Sequence, residues 1–434
     1  MKRNAYDELL QWKKRRKRKP LLLRGARQTG KTWLMNEFAK SKFDDFVYFL
    51  CDNNTQLMRI FEPDYNIQRI IRALEVEAGK KLVPGKTVII FDEIQEIPKA
   101  LSALKYFCET APEYPIMAAG SLMGIALHEG TNFPVGKVDE VFLYPLSFNE
   151  FLTALGEDPL RELLIQGDTG MISTFADRYR ELLKLYYFIG GMPEAVQSWL
   201  DEKDPAEVRR IQNGLLDFYD NDFSKHADPR QVTRIRMVWG SVLSQLAKEN
   251  RKFIYGLLRK GSRASDFDLA ISWLKDYGLT YRVHRITKPG LPLKSYENLD
   301  QFKMFALDVG LLGAMGGLDA SVLMDGSRIF EEFKGALTEQ FICQQLISED
   351  SMIPWYWSAE NSGGEVDFVV QTGNQILPIE VKAEENLRAR SLRAFCDKYK
   401  ISRAVRTSMS PYREQDWLVN VPLYYFSEWM KKER

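Results

Sequence analysis

The sequence is poor in cysteine and histidine. Its 434 residues include four cysteines and three histidines. No two cysteines have C-x-x-C spacing, and the histidines lie too far apart in the sequence to suggest a cluster. This pattern excludes a disulfide framework and a zinc site of the usual spacing. The thiols are therefore expected to be reduced, structural residues of a cytoplasmic protein.

The sequence also lacks long apolar runs and an excess of charge of one sign. The longest weakly polar stretch, residues 114–127, is too short to span a bilayer, and the amino-terminal residues contain no apolar core of signal-peptide type. The formal net charge is +1, so any nucleic-acid site must be a local patch. With 45% hydrophobic and 27% charged residues, the composition is that of an ordinary globular protein without a membrane partner.

The most specific motif follows a short apolar run. After Leu21–Leu23 and Arg24 the chain reads Gly-Ala-Arg-Gln-Thr-Gly-Lys-Thr, which matches the phosphate-loop pattern G-x-x-x-x-G-K-[ST] in full. The glycines let backbone N–H groups converge on phosphate oxygens, and the following helix places its positive end behind them. Lys31 is expected to reach the β- and γ-phosphates of ATP, and Thr32 to bind Mg²⁺ through its hydroxyl. The predicted ATP-binding residues are Gly25, Ala26, Arg27, Gln28, Thr29, Gly30, Lys31 and Thr32.

A second nucleotide motif lies about sixty residues further along the chain. Residues 87–91 form an apolar run typical of a strand buried on both faces, and Asp92 and Glu93 follow it. Asp92 is expected to hold Mg²⁺ through water, and Glu93 to orient and activate the attacking water. Together with a full phosphate loop, these two acids predict hydrolysis of ATP as well as binding.

Ser121 ends a third apolar run, residues 115–120. In P-loop ATPases with a separate catalytic glutamate, a polar residue at this place lies between the two motifs and senses the γ-phosphate. Ser121 is therefore a candidate catalytic sensor. A serine that caps the following helix explains the same position equally well.

Strands alternate with helices over residues 1–150, which predicts a parallel sheet with its ligand at the carboxyl ends of the strands. Residues 46–50 are expected to form a buried strand and residues 138–144 the fifth strand. Residues 13–19 are seven consecutive basic residues. Such a run is usually a solvated face or linker, and it is also compatible with a nucleic-acid backbone contact beside the ATP site.

The middle of the chain is expected to contain two further segments. Residues 151–228 are mostly helical in pattern, and residues 229–327 show helices followed by a strand pair, as in a winged helix-turn-helix. The third helix of that unit carries Asp266, Asp268 and Asp276, which makes it a poor recognition helix for DNA. A winged helix that docks protein is an equal alternative.

Residues 328–434 hold a second chemical constellation. Strands at 364–370 and 376–382 bring Asp367 beside Glu380-x-Lys382. Asp367 and Glu380 are candidate Mg²⁺ ligands, Lys382 is expected to stabilise charge or position water, and Glu339 on the preceding helix could complete the site. The bland alternatives are a solvated strand face with a Glu/Lys pair and a nuclease fold kept only as a scaffold.

The sequence resembles a family of prokaryotic AAA-type ATPases whose C-terminal domain was long described only as of unknown function. The resemblance implies an ATPase core, a helical segment, a winged helix and a restriction-nuclease-like terminus. Its last part resembles the PD-(D/E)XK nuclease fold with all four positions filled. In the family an arginine often precedes the Tyr-Pro-Leu-Ser-Phe strand, whereas this chain has Lys137, a point charge without the guanidinium fork. The matching segments are 21–32, 91–95, 119–121, 144–148 and 190–194.

These observations predict an α/β multidomain protein with four parts. They are a P-loop AAA-type ATPase domain at 1–150, a helical subdomain at 151–228, a winged-helix domain at 229–327 and an α/β restriction-endonuclease-like domain at 328–434. The expected function is an ATP- and Mg²⁺-dependent switch that acts on DNA or RNA, in a chain that could form a homo-oligomer. The alternative is a regulatory ATPase whose last two domains only bind a partner. A kinase is disfavoured because no phosphoacceptor-activating motif stands out.

Overall fold

The computed structural model describes residues 1–121, 133–248, 252–318, 328–349, 351–360, 363–383 and 389–433. The chain divides into two compact units. The first comprises Met1–Tyr144 with Asp276–Gly278, and the second comprises Pro145–Lys275 with Leu279–Arg434. Within the described ranges, no helix has both the length and the apolar character that crossing a membrane requires.

The first unit is built on a five-stranded sheet in the order β2-β3-β4-β1-β5. All neighbouring strands in it are parallel, as the alternation of strands and helices predicts. The strands are β1 (Leu21–Gly25), β2 (Asp45–Leu50), β3 (Thr87–Asp92), β4 (Ile116–Ser121) and β5 (Asp139–Phe142).

The inner strand β3 is buried at every position, as predicted. The expectation of a buried strand at residues 46–50 is wrong for one face. Because β2 is an edge strand, Tyr48 and Leu50 remain 38% and 45% exposed.

Helices cover both faces of this sheet. Successive residues of β3 point to opposite faces, so Ile89 and Phe91 pack with α4 and α5, while Val88 and Ile90 pack with α1 and α2. The helices are α1 (Ala5–Lys14), α2 (Lys31–Lys42), α3 (Thr55–Phe61), α4 (Ile67–Ala78) and α5 (Pro98–Thr110). Asn66 caps α4 through Arg69 N, and Pro98 starts α5 at a position where its missing N–H costs nothing.

Residues 145–246 are helical, as expected for most of this range. The helices are α6 (Phe148–Ala154), α7 (Asp158–Gln166), α8 (Thr169–Thr174), α9 (Ala176–Ile189), α10 (Pro193–Glu202), α11 (Pro205–His226) and α12 (Pro229–Leu246). A 3-10 turn at Tyr255–Leu257 and α13 (Ala264–Asp276) then lead into two antiparallel strands.

The second unit contains an eight-stranded mixed sheet in the order β12-β13-β11-β10-β9-β8-β6-β7. Its strands are β6 (Thr280–Ile286), β7 (Glu297–Ala306), β8 (Trp355–Ser358), β9 (Glu365–Thr372), β10 (Gln375–Val381), β11 (Ala404–Ser408), β12 (Arg413–Glu414) and β13 (Leu418–Pro422). The remaining helices are α14 (Val309–Met315), α15 (Arg328–Ser348), α16 (Arg390–Tyr399) and α17 (Phe426–Lys432). The strands on either side of residue 327 thus share one sheet, joined where Arg285 pairs with Tyr356.

One buried carboxylate ties several of these helices together. Asp308 is fully buried and caps α14, because its Oδ2 accepts hydrogen bonds from Gly310 N and Leu311 N. Its Oδ1 accepts from Gly191 N at 2.7 Å and from the Gln344 side chain at 3.3 Å. A Cβ on Gly190 would lie 2.0 Å from Oδ2 of Asp308, which explains the glycine between α9 and α10.

Candidate functional site

The phosphate loop lies between the end of β1 and the start of α2. A Cβ on Gly25 would lie 2.2 Å from the carbonyl oxygen of Leu143, so no larger residue fits there. Gly30 has a left-handed φ of 93° and ends the loop directly before Lys31, the first residue of α2. The loop therefore lies at the carboxyl edge of the sheet, at the positive end of a helix, where anions bind.

Lys31 points back into this loop. Its side chain is buried, and its Nζ donates hydrogen bonds to the carbonyl oxygens of Gly25 (3.1 Å) and Ala26 (2.8 Å). Burial lowers the pKa of Lys31 to about 8, although the neighbouring Glu93 and Asp92 act in the opposite direction. Phosphate oxygens are stronger partners for an ammonium group than carbonyls, so the loop is arranged to exchange these bonds for a nucleotide.

Asp92 and Thr32 meet beside the loop. Thr32 Oγ1 donates to Oδ2 of Asp92 at 2.6 Å, and the hydroxyl of Tyr48 donates to the same oxygen at 2.9 Å. A hydroxyl and a buried carboxylate in contact are hard oxygen donors that fit Mg²⁺, so the residues present suit the ion that the fold implies. Tyr48 lies on the edge strand β2 and belongs to no motif, so its place at this site was not predicted.

Glu93 directly follows Asp92 in an unusual backbone conformation. Its φ of 50° lies in the left-handed region, which costs energy for a residue other than glycine. The buried amide of Gln95 donates to Oε2 of Glu93 at 2.5 Å and so fixes the carboxylate. Strain of this kind clusters at functional sites, so it is compatible with the predicted role of Glu93.

Ser121 lies where the sequence analysis expects it along the sheet. Strand β4 separates β1 from β3, and Ser121 pairs with Gly25 at the end of the two strands. Its backbone is therefore between the two nucleotide motifs. Its side chain lies outside the described residues, so the sensor role stays a prediction.

Arg3 is a residue of this site that the sequence analysis missed. It is buried, and its guanidinium donates to the carbonyl oxygen of Thr29 in the loop at 2.9 Å and to that of Tyr144 at 2.5 Å. These bonds brace the loop against the end of the first unit. A single arginine before a short helix carries no sequence signal of such a role.

Lys137 and the basic run at 13–19 lie at the other edge of the sheet. Lys137 precedes β5, and the basic run precedes β1. Because these two strands are parallel, both groups lie at the amino ends of the strands, whereas the phosphate loop follows β1 at its carboxyl end. Lys137 forms an ion pair with Glu109 at 2.9 Å, and Arg15 forms one with Asp139 at 3.1 Å. The basic run is therefore not beside the ATP site of its own chain, and Lys137 does not face the phosphates of that site.

The second candidate site lies where β9 and β10 separate. Opposite β8, strand β9 holds one extra residue, because Trp355 pairs with Val369 but Trp357 pairs with Val366. Such a bulge re-aims a side chain and is common beside active sites. Here Oδ2 of Asp367 accepts a hydrogen bond from Val381 N on β10 at 2.7 Å, so the carboxylate lies between the two strands.

Glu380 and Lys382 extend this site on β10. Their side chains form an ion pair of 2.6 Å, as their i, i+2 spacing predicts. Glu380 is buried, and its Oε2 has no hydrogen-bond partner in the part of the chain that the structure describes. Burial, and next the charge of Asp367, raise the pKa of Glu380 to about 7, while Lys382 opposes the rise. An unmatched carboxylate oxygen close to a second acid fits a divalent cation.

Glu339 lies on the preceding helix, as expected, but its partner there is a lysine that the sequence analysis did not foresee. It is buried on α15, and its Oε2 lies 3.5 Å from Nζ of Lys303, a fully buried lysine on β7 that also pairs with Glu365. Among the described residues, no three side chains of His, Cys, Asp or Glu lie together in a group that could hold a metal. Asp367 and Glu380 thus remain as a pair, and the sequence analysis missed Lys303 because it lies on a strand assigned to another domain.

Comparison with protein families bears on the first unit. Residues 17–152 match an AAA domain. This stretch is therefore similar to the nucleotide-binding domains of AAA proteins. Residues 180–322 and 334–426 match two domains of unknown function, DUF8612 and DUF4143, which assign no activity to the second unit.

Two solved structures to which the chain is similar are distant from it in sequence. One is the Walker-type ATPase PABY2304 of Pyrococcus abyssi, with 14% identity and a TM-score of 0.45 over 73% of this chain and 95% of that one. Another is the ORC1 protein of Aeropyrum pernix in complex with DNA, with 11% identity and a TM-score of 0.27 over 72% of this chain and 90% of that one. TM-scores this low assign neither a fold nor a function to this chain. No curated protein matches the chain.

Proposed function

We propose that this protein is an ATP-hydrolysing switch that acts on nucleic acid through Mg²⁺-dependent phosphodiester hydrolysis by its C-terminal part. The observation that carries the ATPase half is the contact of Thr32 Oγ1 with Asp92 at 2.6 Å, with Glu93 held beside it by Gln95. These are the parts that phosphoryl transfer to water needs, placed around one loop.

The proposed roles follow from the geometry. Lys31 exchanges its two carbonyl partners for the β- and γ-phosphates, while Thr32 and Asp92 hold Mg²⁺. Mg²⁺ held by these two residues would supply positive charge against the phosphate oxygens. Glu93 orients the attacking water and accepts its proton, and Ser121 senses the γ-phosphate from the end of β4.

A glutamine at the proposed base tests the ATPase. We expect Glu93→Gln to bind ATP and Mg²⁺ normally but to lower kcat by a factor of about 10² to 10⁴, because an amide cannot accept the proton. Binding is measured by calorimetry and turnover by phosphate release. Glu113→Gln, the same change at an exposed residue, is the matched control, and Lys31→Ala should abolish binding. Normal hydrolysis by Glu93→Gln would disprove the assignment of the base.

For the second unit we propose a helical subdomain at 151–228, a winged helix at 229–327 and a nuclease-like domain at 328–434. The two antiparallel strands after α13 support the winged helix. The bulge at Asp367, the unmatched oxygen of Glu380 and the adjacent Lys382 support the nuclease-like site. We further propose that the protein is cytoplasmic and forms a homo-oligomer.

Cutting is tested with single- and double-stranded DNA and RNA, each with and without ATP and Mg²⁺. We expect Mg²⁺-dependent cleavage by the wild type and at least a hundredfold loss in Asp367→Ala, on the order of the loss of one metal ligand. Asp397→Ala changes an exposed aspartate of α16 and is the control. If Asp367→Ala or Lys382→Ala cuts as well as the wild type, the nuclease half of the proposal fails.

A second function is a regulatory ATPase whose C-terminal part only binds a partner. The ion pair of Glu339 with Lys303 favours it, because it occupies an acid that a nuclease-like site would use. The acidic α13 favours a protein partner over DNA. Absence of cleavage, with nucleotide-dependent oligomerisation intact, would select this function.

A further inference from the structure

Lys303 is buried to an unusual degree for a lysine. It lies on β7, the strand at one edge of the eight-stranded sheet, and none of its surface is exposed. Its ammonium group pairs with Glu339 on α15 and with Glu365 at the start of β9, and it lies 5.1 Å from the ring centre of Tyr356. A lysine is rarely buried unless its charge is matched, so this arrangement is specific to the two carboxylates.

The position of this ammonium matters for the acids around it. A divalent ion bound by Glu339 would lie about 2 to 2.5 Å from the carboxylate oxygen. It would then lie within a few ångströms of Nζ of Lys303, and two positive charges would share one buried carboxylate. Asp367 accepts a hydrogen bond from Val381 N, and Glu380 pairs directly with Lys382. The charge of Lys303 still reaches Glu380, where it opposes the rise in pKa that burial and Asp367 cause.

We infer that Lys303 is a resident cation of the nuclease-like site, which holds Glu339 and Glu365 in place of a second metal ion and limits the site to one divalent ion on Asp367 and Glu380. The inference rests on the proposed nuclease-like function. It makes Lys303 a positioning residue for that site, although it lies on a strand that precedes the nuclease-like part of the chain. The two lysines thus have different roles. Lys382 is partly exposed and lies beside the metal site, whereas the buried Lys303 takes the place of a metal ion.

The number of bound Mn²⁺ ions tests this inference without any activity assay. Full-length protein is titrated with Mn²⁺ at pH 8 without nucleotide, and free Mn²⁺ is counted by electron paramagnetic resonance. All samples carry Asp92→Asn, which removes the charged one of the two proposed metal ligands of the ATP site, Thr32 and Asp92. We expect one Mn²⁺ per chain for this reference protein and none after Asp367→Asn is added.

Removal of the lysine should change that number. We expect Lys303→Met to bind two Mn²⁺ ions, because Glu339 and Glu365 lose their cation and become ligands. Lys398→Met, at an exposed lysine of α16, is the matched control and should still bind one. Mn²⁺ should also raise the Tm of Lys303→Met more than that of the reference protein. Each protein is compared with itself with and without Mn²⁺, so the test holds even if the substitution lowers the Tm.

The outcomes separate this inference from the proposed function. Two Mn²⁺ ions in the reference protein would overturn the role of Lys303 alone. So would one ion in a folded Lys303→Met protein whose Tm rises with Mn²⁺ no more than that of the reference protein. A reference protein that binds no Mn²⁺ would overturn both, since the nuclease-like site would then hold no metal. Glu365→Gln keeps Lys303 and Glu339 and should leave the count at one.

Discussion

Lys31 illustrates how a single side chain is prepared for a ligand that it must release again. Its ammonium group lies against two backbone carbonyls and near two acids, and burial lowers its pKa to about 8. Between this value and the ordinary value of 10.5, the unfolded chain binds more protons than the folded one. The contribution of Lys31 to folding stability therefore rises with pH across that interval.

The same pKa makes nucleotide binding depend on pH. Phosphate oxygens favour the charged ammonium, so ATP should take up a proton through Lys31 when it binds at pH 8.5. The affinity should be constant below pH 8 and fall by up to about tenfold per pH unit above it. Calorimetry in two buffers with different ionisation enthalpies measures the uptake.

Lys31→Arg is the control for this proton, since a guanidinium stays charged at every pH used. Any ATP binding that this variant retains should occur without proton uptake at position 31. Equal heats in both buffers for the wild type would contradict the prediction.

At the level of residues, the sequence identified the groups that belong to motifs. Gly25, Lys31, Thr32 and Asp92 lie where the patterns place them, because a motif is a local stretch whose geometry is set by its own backbone. Arg3, Tyr48 and Lys303 could not be found this way. Each acts through a side chain that reaches residues far along the chain, and nothing in its own neighbourhood records the partner.

At the level of elements, the burial of strands depends on their place in the sheet. The apolar run at 46–50 reads as buried, but β2 has a neighbour on one side only, so alternate residues face solvent. Strand β3 has an equally apolar sequence and is buried throughout because strands flank it on both sides. Strand order arises from contacts distant in sequence, so a single run does not reveal it.

Asp308 allows a specific prediction about how secondary-structure elements are held together. It accepts hydrogen bonds from three backbone N–H groups and one amide, and an asparagine can offer only one oxygen to them. We expect Asp308→Asn to lower the free energy of unfolding by about 2 to 3 kcal/mol, the cost of unmatched buried donors. The midpoint of urea unfolding measures the change.

Asp168 provides a matched control for Asp308. It caps α8 in the same way but is exposed, and asparagine is as good a cap as aspartate. Asp168→Asn should therefore leave the midpoint within about 0.5 kcal/mol of the wild type. Equal effects of the two substitutions would show that burial of Asp308 does not matter.

At the level of the whole molecule, composition and motif order predicted a chain of several folded parts, and the structure has two compact units. The extent of the second unit was not foreseeable. Its sheet joins strands on both sides of residue 327 through the pair of Arg285 and Tyr356. A single pair of residues that joins two strands produces no hydrophobic periodicity from which the sequence could predict it.

Two compact units should unfold separately. We expect two calorimetric transitions, of which saturating ATP and Mg²⁺ raise only that of the first unit. At a free ligand concentration of a hundred times Kd the stabilisation is about 2.7 kcal/mol. For a unit of this size it should raise Tm by roughly 5 to 10 °C.

Lys31→Ala is the control for this shift and should show both transitions without a response to ATP. A single transition in the wild type, or an equal rise of both transitions with ATP, would show that the two units unfold together.

The bonds of Arg3 to the carbonyls of Thr29 and Tyr144 have a practical consequence. A residue that stands third in the sequence is part of the wall of the nucleotide site. A truncation that removes Arg3, or a fusion that displaces its side chain, therefore alters the phosphate loop. Kinetic comparisons between preparations of this protein are meaningful only when the sequence around Arg3 is the same in each.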